Sequence, residues 1–548
     1  MKKIMTCVIS LVVAFACIMS LSACNINKLK APTGISVDED TWTLKWDAVE
    51  NAESYVIDFE GQLIEVNDTQ YDISKLIKQL RDYVISVKAV PAEGGKLKES
   101  DWSRLSLTVT TLPVIKPEVV PSTGLEYTLN ADGTGYAVSA GKCRDKEVII
   151  ADTYQGLPVT EIADMAFYSE EGNATITKVT IPESVKVIGL GAFANCQKLL
   201  RVVIKGDNLE KIGESAFLGD ILLTNISFPS SLVSIGAGAF KNAILLKSVT
   251  FPDSLTSLGE QAYAGCTGLD TITFGKGLKD ISNAAFSGCT ALKTINWGHY
   301  VETIGEQAFT GTQIIKIAFP ESIKSIGGSA FINNNILKTL VFNEGLETIG
   351  AGAFANNINL KDIEFPSKLV SVGDSAFYNC AEIREVNLKY IETIGQSVFA
   401  SCRRLTTVKV LEGAESVGVT MFAACPALSN IEFASTVKDI GNGAFMNCTA
   451  LKSVTFPDSL VRLGMKAFSG CSALETINIS DTVKDIGFNC FEKTAWEDAV
   501  DNGYIYFDNY LYGYKGTLTK TVIDDIKPGT TGIGASAFAS SKIVSIVI

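Results

Sequence analysis

The feature that most constrains this chain is an alanine–aromatic pair that returns at a nearly fixed interval. Most steps between successive aromatic residues are 23 residues long. A repeat this short cannot enclose a core of its own, so each copy must bury its apolar side chains against its neighbours. The repeat therefore predicts a mainly β solenoid of about sixteen coils. The aromatic residues that mark it are Phe167, Phe193, Phe217, Phe240, Tyr263, Phe286, Phe309, Phe331, Phe354, Phe377, Phe399, Phe422, Phe445, Phe468, Phe491 and Phe538.

A single copy indicates how each coil is built. In "LKSVTFP", residues 451–457, Leu451, Val454 and Phe456 are predicted to point inward from a short strand, with polar residues between them facing solvent. Pro457 lacks a backbone N–H and ends the strand. The core is then a ladder of like residues along the solenoid rather than a globular centre.

The outward strand positions are the candidate binding residues. A long polar sheet face can contact a large or extended partner at many weak points. An equally open alternative is that these residues only keep the solenoid soluble. The candidates are Thr250, Thr273, Asn296, Thr339, Glu364, Asn387, Lys409, Glu432, Thr455 and Asn478 on strands, with Tyr300 and Tyr390 on turns.

The repeat closely resembles the BspA-like leucine-rich repeat family of bacterial surface proteins. The text that carries the resemblance is "SLVSIGAGAFKNAILLKSVTFP", residues 231–252, and "TVKDIGNGAFMNCTALKSVTFP", residues 436–457. It covers residues 125–548, with an N-terminal cap over 125–160 that contains two short strands joined around Asp132-Gly133. The resemblance implies attachment to a host protein or a neighbouring cell, as in some members of the family.

The regular interval fails once, between Phe491 and Phe538, where the step doubles. The extra segment contains "NGYIYFDNYLYGYKG", residues 502–516, whose alternating tyrosines predict a hairpin around Asp508-Asn509. We interpret residues 494–516 as a structural insertion; an aromatic binding patch is the alternative.

The N-terminus has the features of an export signal. Residues 1–23 combine two lysines, a short apolar stretch and small residues before Cys24. "LSAC" resembles the bacterial lipoprotein box, which implies cleavage before Cys24 and lipid attachment to it; an ordinary signal peptide is the alternative. We therefore expect an exported protein, anchored to the membrane at the bacterial cell surface through Cys24 and a tether over 24–30.

Residues 31–112 form a separate region of short alternating segments, which predicts an antiparallel β-sandwich. Pro32, Trp46, Tyr55, Leu80 and Tyr83 resemble the pattern of a fibronectin type III domain, and the resemblance implies that the Tyr83 hydroxyl caps a neighbouring backbone group. Another immunoglobulin-like sandwich is the rival. Residues 113–124 contain three prolines and predict a semi-stiff linker.

The recurring cysteines do not indicate a reaction centre. Most lie three residues beyond a repeat aromatic, but other copies place Asp220, Ala243 or Asn357 at that position. Cysteine there is interpreted as a small, mostly apolar filler, with a disulfide or a metal site as less favoured alternatives.

The remaining residue inventory argues against catalysis and nucleic-acid binding. His299 is the only histidine and is predicted on an exposed turn, while Trp297 is predicted to fill a core position. No nucleotide-binding or zinc-protease motif is present, so no cofactor and no metal is predicted. A net charge of −13 without a basic stripe disfavours nucleic acid. The leading prediction is adhesion to a protein or cell-surface ligand; the alternative is polysaccharide capture beside a carbohydrate-uptake system.

Overall fold

A computed structural model describes residues 28–39, 41–112, 120–170, 175–389, 391–538 and 543–547. The predicted signal peptide, Cys24, most of the proline-rich linker and Tyr390 lie outside these residues. The described chain forms two compact units, one ending at residue 119 and the other beginning at residue 120. Regular structure in both is almost entirely β.

The N-terminal unit has seven strands in two antiparallel sheets. One sheet has the order β1-β2-β5 and the other β4-β3-β6-β7, and inward residues of both enter one apolar core. Alternation of apolar and polar residues produces this arrangement, because successive side chains of a strand point to opposite faces. The strands are β1 (Ser36–Asp38), β2 (Thr43–Lys45), β3 (Ala52–Phe59), β4 (Gln62–Val66), β5 (Gln70–Asp72), β6 (Asp82–Pro91) and β7 (Ser103–Thr108).

The predicted role of Tyr83 is confirmed. Its hydroxyl accepts hydrogen bonds from the backbone N–H groups of Lys78 and Gln79, at 3.2 and 3.1 Å. Trp46 and Tyr55 are buried edge to face in the same core. Leu80, which the sequence pattern placed with Tyr83, lies next to the backbone that the tyrosine hydroxyl caps and is 60% exposed.

The second unit is a β-solenoid of about 17 turns. Each regular coil contributes one strand to each of two parallel ladders, which we call ladder A and ladder B. Within each paired run of ladder A the neighbouring strands pair without a register shift, so equivalent residues of successive coils lie side by side. Ladder A contains β10 (Glu147–Ile149), β13 (Lys178–Ile181), β15 (Arg201–Ile204), β18 (Ser248–Thr250), β20 (Thr271–Thr273), β22 (Thr294–Asn296), β24 (Lys316–Ala318), β26 (Thr339–Val341), β29 (Glu385–Leu388), β31 (Thr407–Val410), β33 (Asn430–Phe433), β35 (Ser453–Thr455), β37 (Thr476–Asn478), β41 (Val522–Ile523) and β43 (Ser545–Ile546). The pairing is interrupted after β15, β22, β26, β33 and β37.

Ladder B follows the turn that ends each ladder A strand, and it begins with an antiparallel hairpin. Its members are β8 (Glu126–Leu129), β9 (Tyr136–Ser139), β12 (Leu157–Ile162), β14 (Val187–Ile188), β16 (Lys211–Ile212), β17 (Ser234–Ile235), β19 (Ser257–Leu258), β21 (Asp280–Ile281), β23 (Thr303–Ile304), β25 (Ser325–Ile326), β27 (Thr348–Ile349), β28 (Ser371–Val372), β30 (Thr393–Ile394), β32 (Ser416–Val417), β34 (Asp439–Ile440), β36 (Arg462–Leu463), β38 (Asp485–Ile486) and β42 (Gly532–Ser536). A short strand, β11 (Thr153–Tyr154), pairs only with β12.

The first turn of the solenoid explains the difference between sixteen predicted coils and about 17 observed turns. The hairpin of β8 and β9 turns around Asp132-Gly133, as predicted, and β9 then pairs in parallel with β12. β9 and β10 together make a turn that carries no alanine–aromatic pair. Counting aromatic residues therefore misses it.

The repeat aromatic residues form one continuous column inside the solenoid. From Phe167 to Phe491 each ring stacks on the next, with centroids 5.0 to 5.7 Å apart. Backbone hydrogen bonds join the same turns, as where Phe193 donates to the carbonyl of Ala216 at 2.8 Å. Stacked rings and paired backbone together hold one coil on the next.

Each turn bends sharply because the residue two positions beyond the aromatic adopts a left-handed conformation. Asn447 has φ of 63° and Gly470 has φ of 76° at equivalent positions of adjacent coils. Glycine and asparagine tolerate this region best, which explains their recurrence there. Most ladder B strands are followed by a glycine because two backbones approach closely there. A Cβ at Gly259 would lie 2.2 Å from the backbone nitrogen of Ala237 in the preceding coil.

The segment after Phe491 breaks this regularity. It contains a helix, α1 (Ala495–Ala499), and an antiparallel hairpin of β39 (Gly503–Phe507) and β40 (Tyr510–Lys515). Tyr510 and Tyr512 are buried, and their hydroxyls accept hydrogen bonds from the backbone N–H groups of Ile486 and Phe491, both at 3.0 Å. The rings of these tyrosines complete the core, and their hydroxyls satisfy the two backbone N–H groups.

Candidate functional site

The outward residues of ladder A form the candidate site, which we call the strand face. Thr250, Thr273 and Asn296 pair directly on β18, β20 and β22. Further along the solenoid the predicted residues are also side by side: Asn387, Lys409 and Glu432 on β29, β31 and β33, then Thr455 and Asn478 on β35 and β37. Alternation of the strand turns these side chains outward, while the residues between them enter the core.

Thr339 is exposed on a strand, as predicted, but it lies in a different row from Thr250, and the structure adds two residues to that row. Thr339 is the first outward residue of β26, and the row that contains Thr250 and Thr273 continues through Ala318 and Val341. Sequence reasoning passed over both because it searched for polar residues. Most residues of this row lie ten positions after a repeat aromatic, and that spacing identifies Val341. Ala318 lies only nine positions after its repeat aromatic, because its coil is one residue shorter at the preceding turn.

Neighbouring coils organise the strand face through side-chain contacts. Asn296 donates from Nδ2 to Oγ1 of Thr273 at 2.9 Å, and Asn478 makes the equivalent bond to Thr455 at 3.1 Å. Lys409 lies 3.0 Å from a carboxylate oxygen of Glu385, and that hydrogen bond raises the pKa of the lysine. The face therefore presents ordered hydroxyl, amide and charged groups at the spacing of the coils.

Aromatic residues take no part in the described strand face. Between Lys178 and Asn478, none of the outward positions on the described ladder A strands carries an aromatic ring. Trp297 is buried beside Phe274 and Phe319, as predicted. His299 and Tyr300 lie exposed on the turn that follows, and Glu364 is exposed in a coil without a regular ladder A strand.

The recurring thiols are buried hydrogen-bond donors. Cys266 donates from Sγ to the carbonyl oxygen of Phe240 at 3.1 Å, and Asn334 uses the same position to donate from Nδ2 to Phe309 at 3.1 Å. In these coils the small side chain also donates to the ring residue of the preceding coil, a role that the prediction of an apolar filler did not include, whereas Ala243 at the same position only fills space. The cysteines that make this bond are Cys196, Cys266, Cys289, Cys380, Cys402, Cys425, Cys448 and Cys471.

Burial makes these thiols chemically inert. All ten described cysteines are free, and nine are buried, while Cys143 is partly exposed. Desolvation raises the pKa of Cys380 to about 12, so the reactive thiolate is scarce at neutral pH. Within the described residues no group of histidine, cysteine and acidic side chains is arranged to hold a metal ion.

Asp220 is a buried carboxyl at this position, three residues beyond Phe217. It is completely buried, and neither of its side-chain oxygens has a partner among the described residues. Burial raises the pKa of Asp220 to about 9. At neutral pH the group is therefore an uncharged acid.

The predicted membrane anchor at Cys24 lies outside the described residues. Among the described helices, none has the length and apolar character required to span a bilayer.

Comparison with known families and structures gives consistent matches. The family model of the BspA type leucine-rich repeat region matches residues 148–243, 210–338, 326–452 and 438–548. A leucine-rich repeat protein from Bacteroides ovatus is 28% identical, with a TM-score of 0.55, over 70% of this chain and 93% of that one. A comparison with curated proteins finds no match.

Two further solved structures are similar in part. A leucine-rich cell surface protein from Faecalibacterium prausnitzii is 25% identical over 67% of this chain and 95% of that one, with a TM-score of 0.41. The leucine-rich repeat protein of T. pallidum is 31% identical over 35% of this chain and 89% of that one, with a TM-score of 0.33.

Proposed function

The chain belongs to the BspA-type leucine-rich repeat family, and on that premise we propose that it is a cell-surface lipoprotein that binds a protein ligand through its strand face. Members of this family and fold are typically non-catalytic interaction scaffolds. The ligand is a protein exposed on a host surface, an extracellular matrix or a neighbouring cell.

The observation that carries the proposal is the composition of the strand face. Its outward residues are mainly serine, threonine, asparagine and charged groups held in register, and none of the described ones is aromatic. Sugar-binding surfaces rely on rings that stack on the sugar, whereas a polar sheet with many small contacts suits a protein surface. This contrast favours protein attachment over polysaccharide capture.

The N-terminal unit serves as a spacer in this proposal. Its two antiparallel sheets and the Tyr83 hydroxyl bonds support a fibronectin type III-like module. Lipid on Cys24 would anchor the chain outside the cytoplasm. Replacing Cys24 with alanine is expected to abolish metabolic labelling with a fatty acid, and persistent labelling would refute the anchor.

Binding is tested with the lipid-free protein, residues 25–548, on arrays of extracellular-matrix proteins and of glycans. We expect saturable binding to proteins and none to glycans. Binding to glycans alone would replace this function with polysaccharide capture.

Substitutions then locate the binding surface. The triple change Thr250→Arg, Thr273→Arg and Asn296→Arg places three bulky cations on adjacent strands of ladder A. The matched control, Ser257→Arg with Thr393→Arg, alters exposed outward positions of ladder B. The first variant is expected to lose at least about tenfold in affinity, roughly 1.4 kcal/mol, and the control to bind normally. Equal effects would exclude the strand face.

A further inference from the structure

We propose that the outer edge of β37 accepts an extended, basic peptide segment of a partner protein as an added β-strand. This inference rests on the proposed function only in taking the partner to be a protein, and it names a second contact, at the junction between the regular coils and the hairpin.

The edge of β37 lacks a neighbour on one side. β37 pairs in parallel with β35, and no other described strand pairs with it. Thr476 donates to the carbonyl of Lys452 at 3.2 Å, and Asn478 accepts from Phe456 at 3.0 Å, so both bond toward the preceding coil. The peptide groups of Ile477 and Ile479 therefore face the other way.

Some of the preceding coils show how this edge can be covered, although the equivalent N–H groups of Trp297 and Phe342 also have no described acceptor. Phe274 and Phe456 each donate a backbone N–H to the next coil, at 3.0 Å. Ile479 occupies the equivalent position, and none of the described residues accepts its N–H. The next coil does not follow β37 directly, because the chain forms α1 there, within which Trp496 donates to the carbonyl of Leu474 at 2.7 Å.

The space left beside this edge is open. A cavity of about 510 Å³ separates Ile477, Asn478 and Ile479 from Tyr506, Phe507 and Asp508 at the turn of the hairpin. A smaller cavity of about 100 Å³ continues beneath the hairpin. Added strands lie about 4.8 Å from the strand they extend, and their main-chain hydrogen bonds supply much of the affinity.

Burial of the two isoleucines agrees with a missing neighbour. In the preceding coil Val454 and Phe456 are 2% and 5% exposed. Ile477 and Ile479 occupy the equivalent positions and are only partly buried. Apolar side chains of an added strand would cover them as the next coil covers Val454 and Phe456.

Charge around the cavity indicates a basic segment. Asp458 and Asp508 line it, and Asp481 lines its smaller extension. In an earlier coil the residue equivalent to Asp458 is Asp253, which pairs with Lys276 of the next coil at 2.6 Å. Asp481 occupies the position equivalent to Lys276, so the pair seen at Asp253 has no counterpart at Asp458. Lys527 donates to the backbone carbonyl of Asp508 at 3.0 Å on the hairpin side, and a lysine or arginine of the partner would supply the cation missing at Asp458.

The probe is a synthetic decapeptide of alternating lysine and valine, with blocked ends, titrated into the protein of residues 25–548. We expect saturable binding with a Kd below about 1 mM and slowed amide exchange at Ile477 and Ile479. A glutamate–valine peptide is expected to bind at least about tenfold more weakly, and methylation of alternate backbone nitrogens on the bonding edge is expected to abolish binding. No saturable binding, or protection confined to other strands, would overturn the inference.

Matched variants test the location. Ser480→Trp fills the cavity and should reduce affinity at least about tenfold, whereas Ser472→Trp, exposed on another turn of the same coil, should not. Asp458→Asn should weaken binding about two- to fivefold, and Asp253→Asn should leave it unchanged. Equal effects within either pair would refute the site.

The two proposals fail separately. If only the arginine variant of the strand face loses binding of the natural ligand, the proposed function stands and the β37 edge is not a contact. If the lysine–valine peptide protects Ile477 and Ile479 but no array protein binds, the edge stands and the proposed function does not.

Discussion

The regular coils and the hairpin junction complete the same core by different means. In the regular coils, a ring stacks on the next ring and the backbone N–H groups of the turn find carbonyls of the next coil. At the junction, Phe491 meets Trp496 and Tyr512 at steep angles, and tyrosine hydroxyls accept the backbone N–H groups. Core burial and backbone pairing are therefore separable, and the junction keeps the first while leaving the edge of β37 unpaired.

The largest expected effect comes from breaking the aromatic column. Phe354 is fully buried and stacks at 5.4 Å on both Phe331 and Phe377. Phe354→Ala should lower the free energy of unfolding by about 3 to 5 kcal/mol in urea titrations. The control is Phe538→Ala, beyond the hairpin, where the ring is partly exposed. If both variants lose a similar free energy of unfolding, stacking in the column contributes nothing beyond ordinary burial.

Asp220 tests the effect of a buried carboxyl within the regular coils. The folded chain holds a proton on Asp220 up to about pH 9, whereas the unfolded chain releases it near pH 4. Stability therefore falls as pH rises between these values. Asp220→Asn should increase the free energy of unfolding by roughly 2 to 4 kcal/mol at pH 7 and remove this part of the pH dependence. Unchanged pH profiles in urea titrations would contradict the buried neutral acid.

Tyr512 tests how the hairpin substitutes for a coil. Tyr512→Phe removes the acceptor that the described residues provide for the buried Phe491 N–H and should cost about 1 to 3 kcal/mol. Tyr504→Phe is the control, because that hydroxyl bonds to Asp525 near solvent. Urea titrations of both variants check this. If the two changes cost the same, the tyrosine does not replace backbone pairing.

The smallest perturbation is chemical labelling of the thiols. Cys143 is partly exposed and should be alkylated in the folded protein, whereas the nine buried cysteines should react only after denaturation. Mass spectrometry of peptides after brief treatment with iodoacetamide measures each site. Rapid labelling of Cys448 in the folded protein would show that the coils open more readily than the stacked column implies.

The repeat made most of the solenoid predictable. Leu451, Val454 and Phe456 are buried as expected because a fixed period forces equivalent residues into equivalent environments. The first turn was missed because it lacks the aromatic marker. The donor role of the cysteines was missed because the acceptor is a backbone carbonyl one coil away, which no side-chain pattern reveals.

The candidate site was predictable in part. Alternation identified the outward positions, but it passed over Ala318 and Val341 because polarity was used as the criterion. The hairpin was recognised from its tyrosines. The open edge of β37 was not, because it depends on where α1 and the hairpin lie relative to Ile479, and tertiary placement sets that relation.

Amide hydrogen exchange on residues 25–548 tests the central comparison most directly. Phe354 and Phe445 donate their backbone N–H groups to the next coil, both at 2.8 Å, and should exchange only through openings that cost at least about 5 kcal/mol. Ile477 and Ile479 should exchange through openings that cost close to zero. If the two isoleucines exchange as slowly as Phe445, a neighbouring strand covers the edge of β37, and the contrast between regular coils and junction is wrong.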